Sequence, residues 1–357
     1  MKVWILIFVC MFSMPLLVAV LHFRMRKGQI LKIRQDYVKN ARYFGRSFSA
    51  LVEKALPEMK NGMIMLSRQE KVLETDGKQE FVQPEIEDLI IARNTIFCPQ
   101  QEDLHFQKEI YSEKDALFVK ENIRLRAVYS KKRLLFGNKI RLLRWADAEH
   151  AVAVYDECDL GERVSSGEQL VIGFENVFHS LYAPVIRLGQ RPEEPDRFME
   201  ERDPRIFRMP VMNSYEYNRH YIDDDMVTEG GTVPYTIISR GDIKVIEDII
   251  LQGDIHSDGA VRIMENASVL GNIFAENDIL LEKNATVFGN IFTQGNIIFE
   301  EGASAGQPDK IISVVARGTI TFYGGNYVYG YVVSEGGGKI LKSDREVLGE
   351  YCFPSEP

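Results

Sequence analysis

The sequence predicts an all-β fold: a parallel β-helix solenoid with three six-residue sides per coil, preceded by an N-terminal transmembrane helix. Two observations predict the solenoid: the sequence repeats every six residues, and residues eighteen apart match better than residues six apart. An uncharged N-terminal run predicts the membrane helix. A repeat at a fixed period is the sequence signature of a solenoid. Within residues 241–306 one small apolar residue marks each repeat: Ile243, Ile249, Ile255, Val261, Ala267, Ile273, Ile279, Ala285, Ile291, Ile297 and Ala303.

The length of the repeat sets the size of the coil. Six residues make a strand of about four residues and a corner, and successive coils stack at roughly 4.8 Å, the ordinary spacing between strands. Because residues eighteen apart match better than residues six apart, three repeats make one coil. One wall is narrow, since Ala267, Ala285 and Ala303 stack in it. The predicted solenoid core consists of Ile243, Ile255, Val261, Ile273, Ile279, Ile291 and Ile297.

The corners of the coil have their own repeat. Gly253, Gly271 and Gly289 are eighteen apart, and each is followed by Asp or Asn. Since Gly, Asn and Asp tolerate left-handed backbone, we expect these glycines to adopt it at sharp corners.

The N-terminal segment, residues 3–23, is predicted to span a membrane. It has no formally charged side chain, and twenty-one residues at about 1.5 Å each cover a hydrocarbon core of about 30 Å. Five basic residues follow within residues 24–34, so the positive-inside rule predicts a single-pass protein of the inner (cytoplasmic) membrane with the bulk of the chain in the cytoplasm. A signal peptide is the alternative, but no small-x-small cleavage site precedes the basic run.

The remaining chain divides by composition and rhythm. Apolar triplets beginning at Leu134, Val152 and Leu170 are eighteen apart, which favours a second, irregular β-helix over an unrelated β domain. A helix before it, with Phe44, Phe48, Leu51 and Leu56 on one side, would lie on the membrane surface or form a stalk. The predicted domains are a transmembrane anchor (1–23), a juxtamembrane helix and linker (24–85), an irregular β-helix (86–188), a charged insertion or hinge (189–232), a regular β-helix (233–333) and a tail (334–357).

The regular repeat resembles that of the bactofilins, the polymer-forming bacterial cytoskeletal proteins. Glycine precedes an Asp/Asn–Ile pair at Gly241, Gly253, Gly271 and Gly289, whereas hexapeptide-repeat enzymes usually place glycine after the larger inward aliphatic residue. The resemblance covers residues 241–306 and is clearest from Val269 to Gly306. It implies a right-handed β-helix that polymerises, often at membranes, and supports cell shape or localises wall enzymes.

The sequence predicts no enzyme and no cofactor. A net charge of −9 argues against a nucleic-acid partner, which requires a basic surface. The four cysteines form no CxxC motif or Cys/His cluster, so neither a zinc site nor a disulfide framework is indicated. No two of the six histidines are eighteen apart, so none would stack on one wall. We therefore assign no catalytic, cofactor-binding or metal-binding residue.

Two pairs of apolar residues point outward from the regular solenoid. Phe274 and Phe292 are eighteen apart on one wall, and Leu280 and Ile298 are eighteen apart on another. A contiguous apolar stripe on a surface marks an interaction site. These four residues form the candidate assembly surface, covered either by a lateral partner or by another part of the chain.

Together these features predict a membrane-anchored cytoplasmic bactofilin-like scaffold. It would bind the membrane through residues 3–23, self-associate or recruit partners such as envelope or cell-wall proteins, and act in cell shape or envelope organisation. Two alternatives stay open: a membrane-tethered adaptor that does not polymerise, and a hexapeptide-repeat acyltransferase.

Overall fold

The computed structural model describes Met14 and residues 40–75, 80–192, 219–222, 232–308 and 310–342. The chain divides into two compact units, Met1–Asn40 and Ala41–Pro357, and almost all described residues belong to the second. The predicted transmembrane segment, residues 3–23, lies outside the described residues except for Met14. Among the residues that are described, no helix is long and apolar enough to cross a membrane.

The prediction of an all-β solenoid is confirmed. Within residues 40–75, helix α1 (Tyr43–Ala55) and a 3₁₀ turn (Leu56–Glu58) precede the strands. The solenoid has two stretches. We call the first of them, the described residues between 63 and 188, the first solenoid. Its strands are β1 (Met63–Met65), β2 (Gln69–Thr75), β3 (Glu85–Ile86), β4 (Leu89–Ala92), β5 (His105–Ser112), β6 (Ala116–Phe118), β7 (Arg124–Ser130), β8 (Leu134–Phe136), β9 (Arg141–Ala148), β10 (Ala151–Val154), β11 (Arg163–Ser166), β12 (Gln169–Ile172) and β13 (Asn176–Leu188).

The first solenoid is irregular where it begins and where it ends. β1 and β2 form an antiparallel hairpin, and Ile90 pairs with Ile110, twenty residues on. Between its ends Leu134, Val152 and Leu170 lie in line at eighteen-residue spacing, as the sequence predicts. In the last coil Leu170 pairs with Ile186, sixteen residues on. The segment before β3 covers the first coil, because Phe81 is buried edge-on against Phe106 at a ring-centroid distance of 5.5 Å.

The described residues between 219 and 340 form the second solenoid. Its strands are β14 (Arg219–Ile222), β15 (Thr232–Val233), β16 (Thr236–Ser239), β17 (Ile243–Val245), β18 (Ile250–Leu251), β19 (Ile255–Ser257), β20 (Val261–Ile263), β21 (Ser268–Val269), β22 (Ile273–Ala275), β23 (Ile279–Leu281), β24 (Thr286–Val287), β25 (Ile291–Thr293), β26 (Ile297–Phe299), β27 (Ser304–Ala305), β28 (Ile312–Ala316), β29 (Ile320–Phe322) and β30 (Asn326–Ile340).

The core of the second solenoid follows the repeat. Ile255, Ile273 and Ile291 pair in parallel at eighteen-residue spacing, and the other walls do the same. All seven residues predicted for the core are buried, as is the small-residue ladder of Ala267, Ala285 and Ala303. The core of both solenoids is one continuous hydrophobic cluster.

The two solenoids meet through their last turns. β13 pairs antiparallel with β30, with Asn176 opposite Ile340, Tyr182 opposite Tyr331 and Leu188 opposite Asn326. We call this contact the joint. Because β30 runs to Ile340, the predicted tail boundary at residue 334 is wrong: residues 334–340 belong to the last turn, where Gly338 and Ile340 are buried.

The corner glycines have a different role from the one expected. Gly253, Gly271 and Gly289 do not have positive φ angles. The left-handed corner residues of the same coils are Asp248 (φ 59°), Asn266 (59°), Asn284 (57°) and Gly302 (75°). The three glycines are instead required by close stacking, since a Cβ on Gly271 would lie 2.3 Å from the carbonyl oxygen of Gly253. The Asp and Asn that follow these glycines form a ladder of hydrogen bonds. The backbone N–H of Asn272 donates to the Asp254 carboxylate (2.7 Å), and the backbone N–H of Asn290 donates to the side-chain oxygen of Asn272 (2.8 Å).

Candidate functional site

Three aromatic rings stack on one outer wall of the second solenoid. Parallel pairing sets His256, Phe274 and Phe292 in register on β19, β22 and β25. Ring centroids are 4.8 Å apart for His256 and Phe274 and 5.4 Å for the two phenylalanines, with interplanar angles of 16° and 7°. Phe274 is 36% exposed. We call this row the ring ladder, and it continues in register through Val315 to Val333.

The ring ladder lines an open groove of about 600 Å³. The described residues of its polar edge are mostly acidic, with Asp258, Glu276 and Glu335 beside Arg317. Arg317 donates to Gln294 at 3.2 Å and lies 3.7 Å from Glu335. The groove therefore has an apolar floor and a net negative edge.

The other two residues of the candidate assembly surface lie on a different wall. Leu280 and Ile298 are in direct register on β23 and β26. Ile298 is only 6% exposed, whereas Leu280 is half-buried. The structure therefore brings together Phe274 with Phe292 and Leu280 with Ile298, but not all four. Only the first pair, with His256, lines the groove.

A second aromatic row lies on the first solenoid, and helix α1 covers it. Tyr111 and Tyr129 stack with centroids 5.8 Å apart, and Trp145 lies on the same wall. Phe48 of α1 packs edge-on against Tyr111 and Trp145. These residues belong to a separate hydrophobic cluster outside the core. Phe48 and Leu56 pack on the solenoid as members of the predicted face, but Phe44 and Leu51 are exposed and Val52 and Ala55 are buried in their place. The packed face is therefore rotated from the predicted one.

A buried ion pair fixes the beginning of α1. The Arg42 guanidinium donates to both carboxylate oxygens of Asp147, at 2.8 and 2.9 Å, and to Glu149 at 3.0 Å. Gly45 allows the helix this close, because a Cβ there would lie 2.4 Å from the Asp147 Cβ. Burial opposes the ionisation of Glu149, but the hydrogen bond and charge of Arg42 outweigh it and hold the pKa of Glu149 below its usual value. Sequence reasoning missed this site, since Arg42 and Asp147 are far apart in the chain.

The two walls belong to one sheet face. Val333 of β30, which lies in register with the ring ladder, pairs with Ser180 of β13. Two residues further along β13, Tyr182 pairs with Ser165. Ser165 pairs in turn with Asp147, on the wall that α1 covers. The joint therefore places the ring ladder in line with the wall that α1 covers. This face is covered on the first solenoid and open along the ring ladder on the second.

Within the described residues, no group of three or more His, Cys, Asp or Glu side chains could hold a metal ion. Burial raises the pKa of the Cys158 thiol to about 12, which keeps it protonated and unreactive at neutral pH. The arrangement of the groove suits binding through apolar contacts and charge.

Comparison of the chain with protein-family models, curated proteins and solved structures gives no match.

Proposed function

We propose that the chain is a membrane-anchored cytoplasmic bactofilin-like scaffold, which self-associates or recruits envelope or cell-wall proteins at the inner membrane. The proposal includes a right-handed solenoid with three six-residue sides, and an anchor at residues 3–23. Its support is the resemblance over residues 241–306 and the basic residues after the apolar N-terminal run.

One observation carries the proposal: the open ring ladder of His256, Phe274 and Phe292. Apolar rings cost free energy when they face water, and a contiguous row of them on a soluble surface marks an interaction site. The regular coils hold the rings at fixed spacing without using them in the core.

The joint determines how such a scaffold would assemble. The edges of terminal β-strands are templates for other chains, but β13 and β30 pair with each other and use up the C-terminal edges of both solenoids. We therefore propose that association, whether with a second copy or with a recruited protein, uses the ring ladder in place of stacking through these ends. The same observation favours a second candidate function, a membrane-tethered adaptor that does not polymerise.

Sedimentation of the full chain in detergent micelles tests the proposal. We expect wild-type chain to self-associate with concentration, and Phe274→Ser with Phe292→Ser to give a smaller species with an unchanged β circular-dichroism spectrum. The matched control is Val119→Ser with Leu143→Ser, which removes two exposed apolar side chains from the first solenoid. A wild-type chain that is monomeric at all concentrations would exclude self-assembly and leave the adaptor function.

A further inference from the structure

We propose that the groove along the ring ladder binds an amphipathic helix with basic flanks, contributed by another protein. The inference rests on the proposed function, since it names the chemistry of the partner that the scaffold would recruit. It is drawn from a comparison of the two solenoids within this chain.

The first solenoid shows how such a helix binds. Its outward row of Ile91, Tyr111 and Tyr129 is in register on successive strands, and α1 packs on that wall through Phe48 and Val52. Tyr111 and Tyr129 are 0% and 3% exposed under this helix. The ring ladder lies on the continuation of the same sheet face, but Phe274 is open.

The spacing of the rings fits a helix that runs along the solenoid axis. Their centroids are 4.8 and 5.4 Å apart, close to the rise of about 5.4 Å per turn of an α-helix. One apolar side chain per turn, at i, i+3 or i+4 and i+7, would therefore meet successive members of the row. This is the usual way in which an amphipathic helix binds an apolar groove.

Charge determines which helix fits. On the first solenoid the acidic wall residues Asp147 and Glu149 receive Arg42 and Arg46 from the helix end. Among the described residues that line the groove on the second solenoid, Asp258, Glu276 and Glu335 are opposed by Arg317. A helix with Lys or Arg beside its apolar stripe complements this edge, and one with Glu does not.

Photo-crosslinking with two synthetic peptides tests the inference. Both are eighteen-residue helices with the same leucine stripe and a benzophenone within it, and one has Lys flanks where the other has Glu. The protein is the full chain in detergent micelles, at equal detergent for every variant. We expect the Lys peptide to crosslink to the ring-ladder wall, and Phe274→Ser with Phe292→Ser to lower the yield about tenfold, as for loss of central apolar anchors.

Charge reversal gives a second readout. Asp258→Lys with Glu276→Lys leaves the rings in place and is expected to shift the preference to the Glu peptide, whereas Val119→Ser with Leu143→Ser is expected to change nothing. Equal crosslinking yields of the Lys and Glu peptides on the wild-type chain would overturn the inference. So would a Lys-peptide yield that neither the Phe274→Ser, Phe292→Ser variant nor the Asp258→Lys, Glu276→Lys variant lowers.

Sedimentation of the same samples separates this inference from the proposed function. If the Phe274→Ser, Phe292→Ser chain is smaller than wild type but wild type captures neither peptide, a second copy occupies the groove; the helix inference is then wrong and the scaffold stands. If the Lys peptide crosslinks and the wild-type chain is monomeric, the helix inference is supported and self-assembly fails.

Discussion

Tyr182 of the first solenoid and Tyr331 of the second face each other across the joint, with ring centroids 4.5 Å apart and an interplanar angle of 42°. They come from the last turns of their solenoids, and the strands that carry them run antiparallel. The pair therefore marks the point where two parallel solenoids close each other's C-terminal edges. Any assembly of the chain has to use other surfaces.

Gly330, on the joint strand β30, has an unusual backbone geometry. Gly330 has φ +134°, and a Cβ there would lie 2.2 Å from the carbonyl oxygen of Ile312. We expect Gly330→Ala to destabilise the fold by about 1–3 kcal/mol, since both strain and a clash result. Urea unfolding of the full chain in micelles measures the change. Gly241→Ala is the control, because its Cβ would have no neighbour closer than 4.0 Å; equal stability of the two variants would contradict the prediction.

The sequence predicts the regular part of the fold because each coil copies the one before it. Ile273 and Ile291 lie in register and Phe274 and Phe292 stack, both as expected from eighteen-residue spacing. The joint could not be predicted in this way, since Tyr182 and Tyr331 are far apart in the chain and their antiparallel pairing leaves no period.

The candidate site could be predicted only in part for a similar reason. Outward direction follows from the alternation along a strand, so the sequence predicts that Phe274 and Ile298 both point outward. Exposure, however, depends on which residues pack over each side chain. Ile298 is covered and Phe274 is not. The wall under α1 was missed because Phe48 packs on Trp145, a contact between distant segments.

The small-residue wall should not tolerate a larger side chain. Ala285 is fully buried between Ala267 and Ala303 in the narrow part of the coil. We expect Ala285→Leu to overpack the core and lower stability by roughly 1–3 kcal/mol. Thermal unfolding followed by circular dichroism measures this. Ser268→Leu, which points outward from the same wall and is half-exposed, should change the melting temperature little, and an unchanged melting temperature for Ala285→Leu would show that the wall can widen.

Glu149 should make the docking of α1 sensitive to acid. The pKa of Glu149 lies below its usual value in the folded chain, so its contribution to stability is present above about pH 4.3, the unfolded value, and is lost as the pH falls through the folded value. We expect the stability difference between wild type and Glu149→Gln to shrink as the pH falls below about 4.3. Urea midpoints at pH 7 and at about pH 3, well below the unfolded value, measure this difference. A constant difference would mean that the carboxylate charge of Glu149 has no role.

The predicted topology can be tested with a reporter. The basic residues within 24–34 predict that the chain after residue 23 remains in the cytoplasm. A reporter that is active only in the periplasm should stay silent when fused after Pro357. The same reporter fused behind a known cleaved signal peptide is the positive control, and activity of the Pro357 fusion would indicate the opposite orientation or secretion.

Removing Arg42 alone from the Arg42–Asp147 pair should destabilise the fold more than replacing both residues. Both side chains are buried, so Arg42→Met leaves the Asp147 carboxylate without its main partner, and removal of one member of a buried pair costs about 3–5 kcal/mol. Adding Asp147→Asn removes the uncompensated charge and keeps the hydrogen bond from Ser165 at 2.7 Å. We therefore expect the double variant to be more stable than Arg42→Met alone.

Trp145 reports on this contact directly, because it lies under α1 against Phe48. In a Trp4→Phe background, Arg42→Met should shift the Trp145 emission to the red as the helix detaches, and the double variant should largely restore it. Arg46→Met is the control, since Arg46 is 53% exposed and 3.6 Å from Glu149, and a surface pair of this kind contributes at most about 1 kcal/mol. If Arg42→Met and Arg46→Met gave the same small shift, the buried pair would not be what holds the helix on the solenoid.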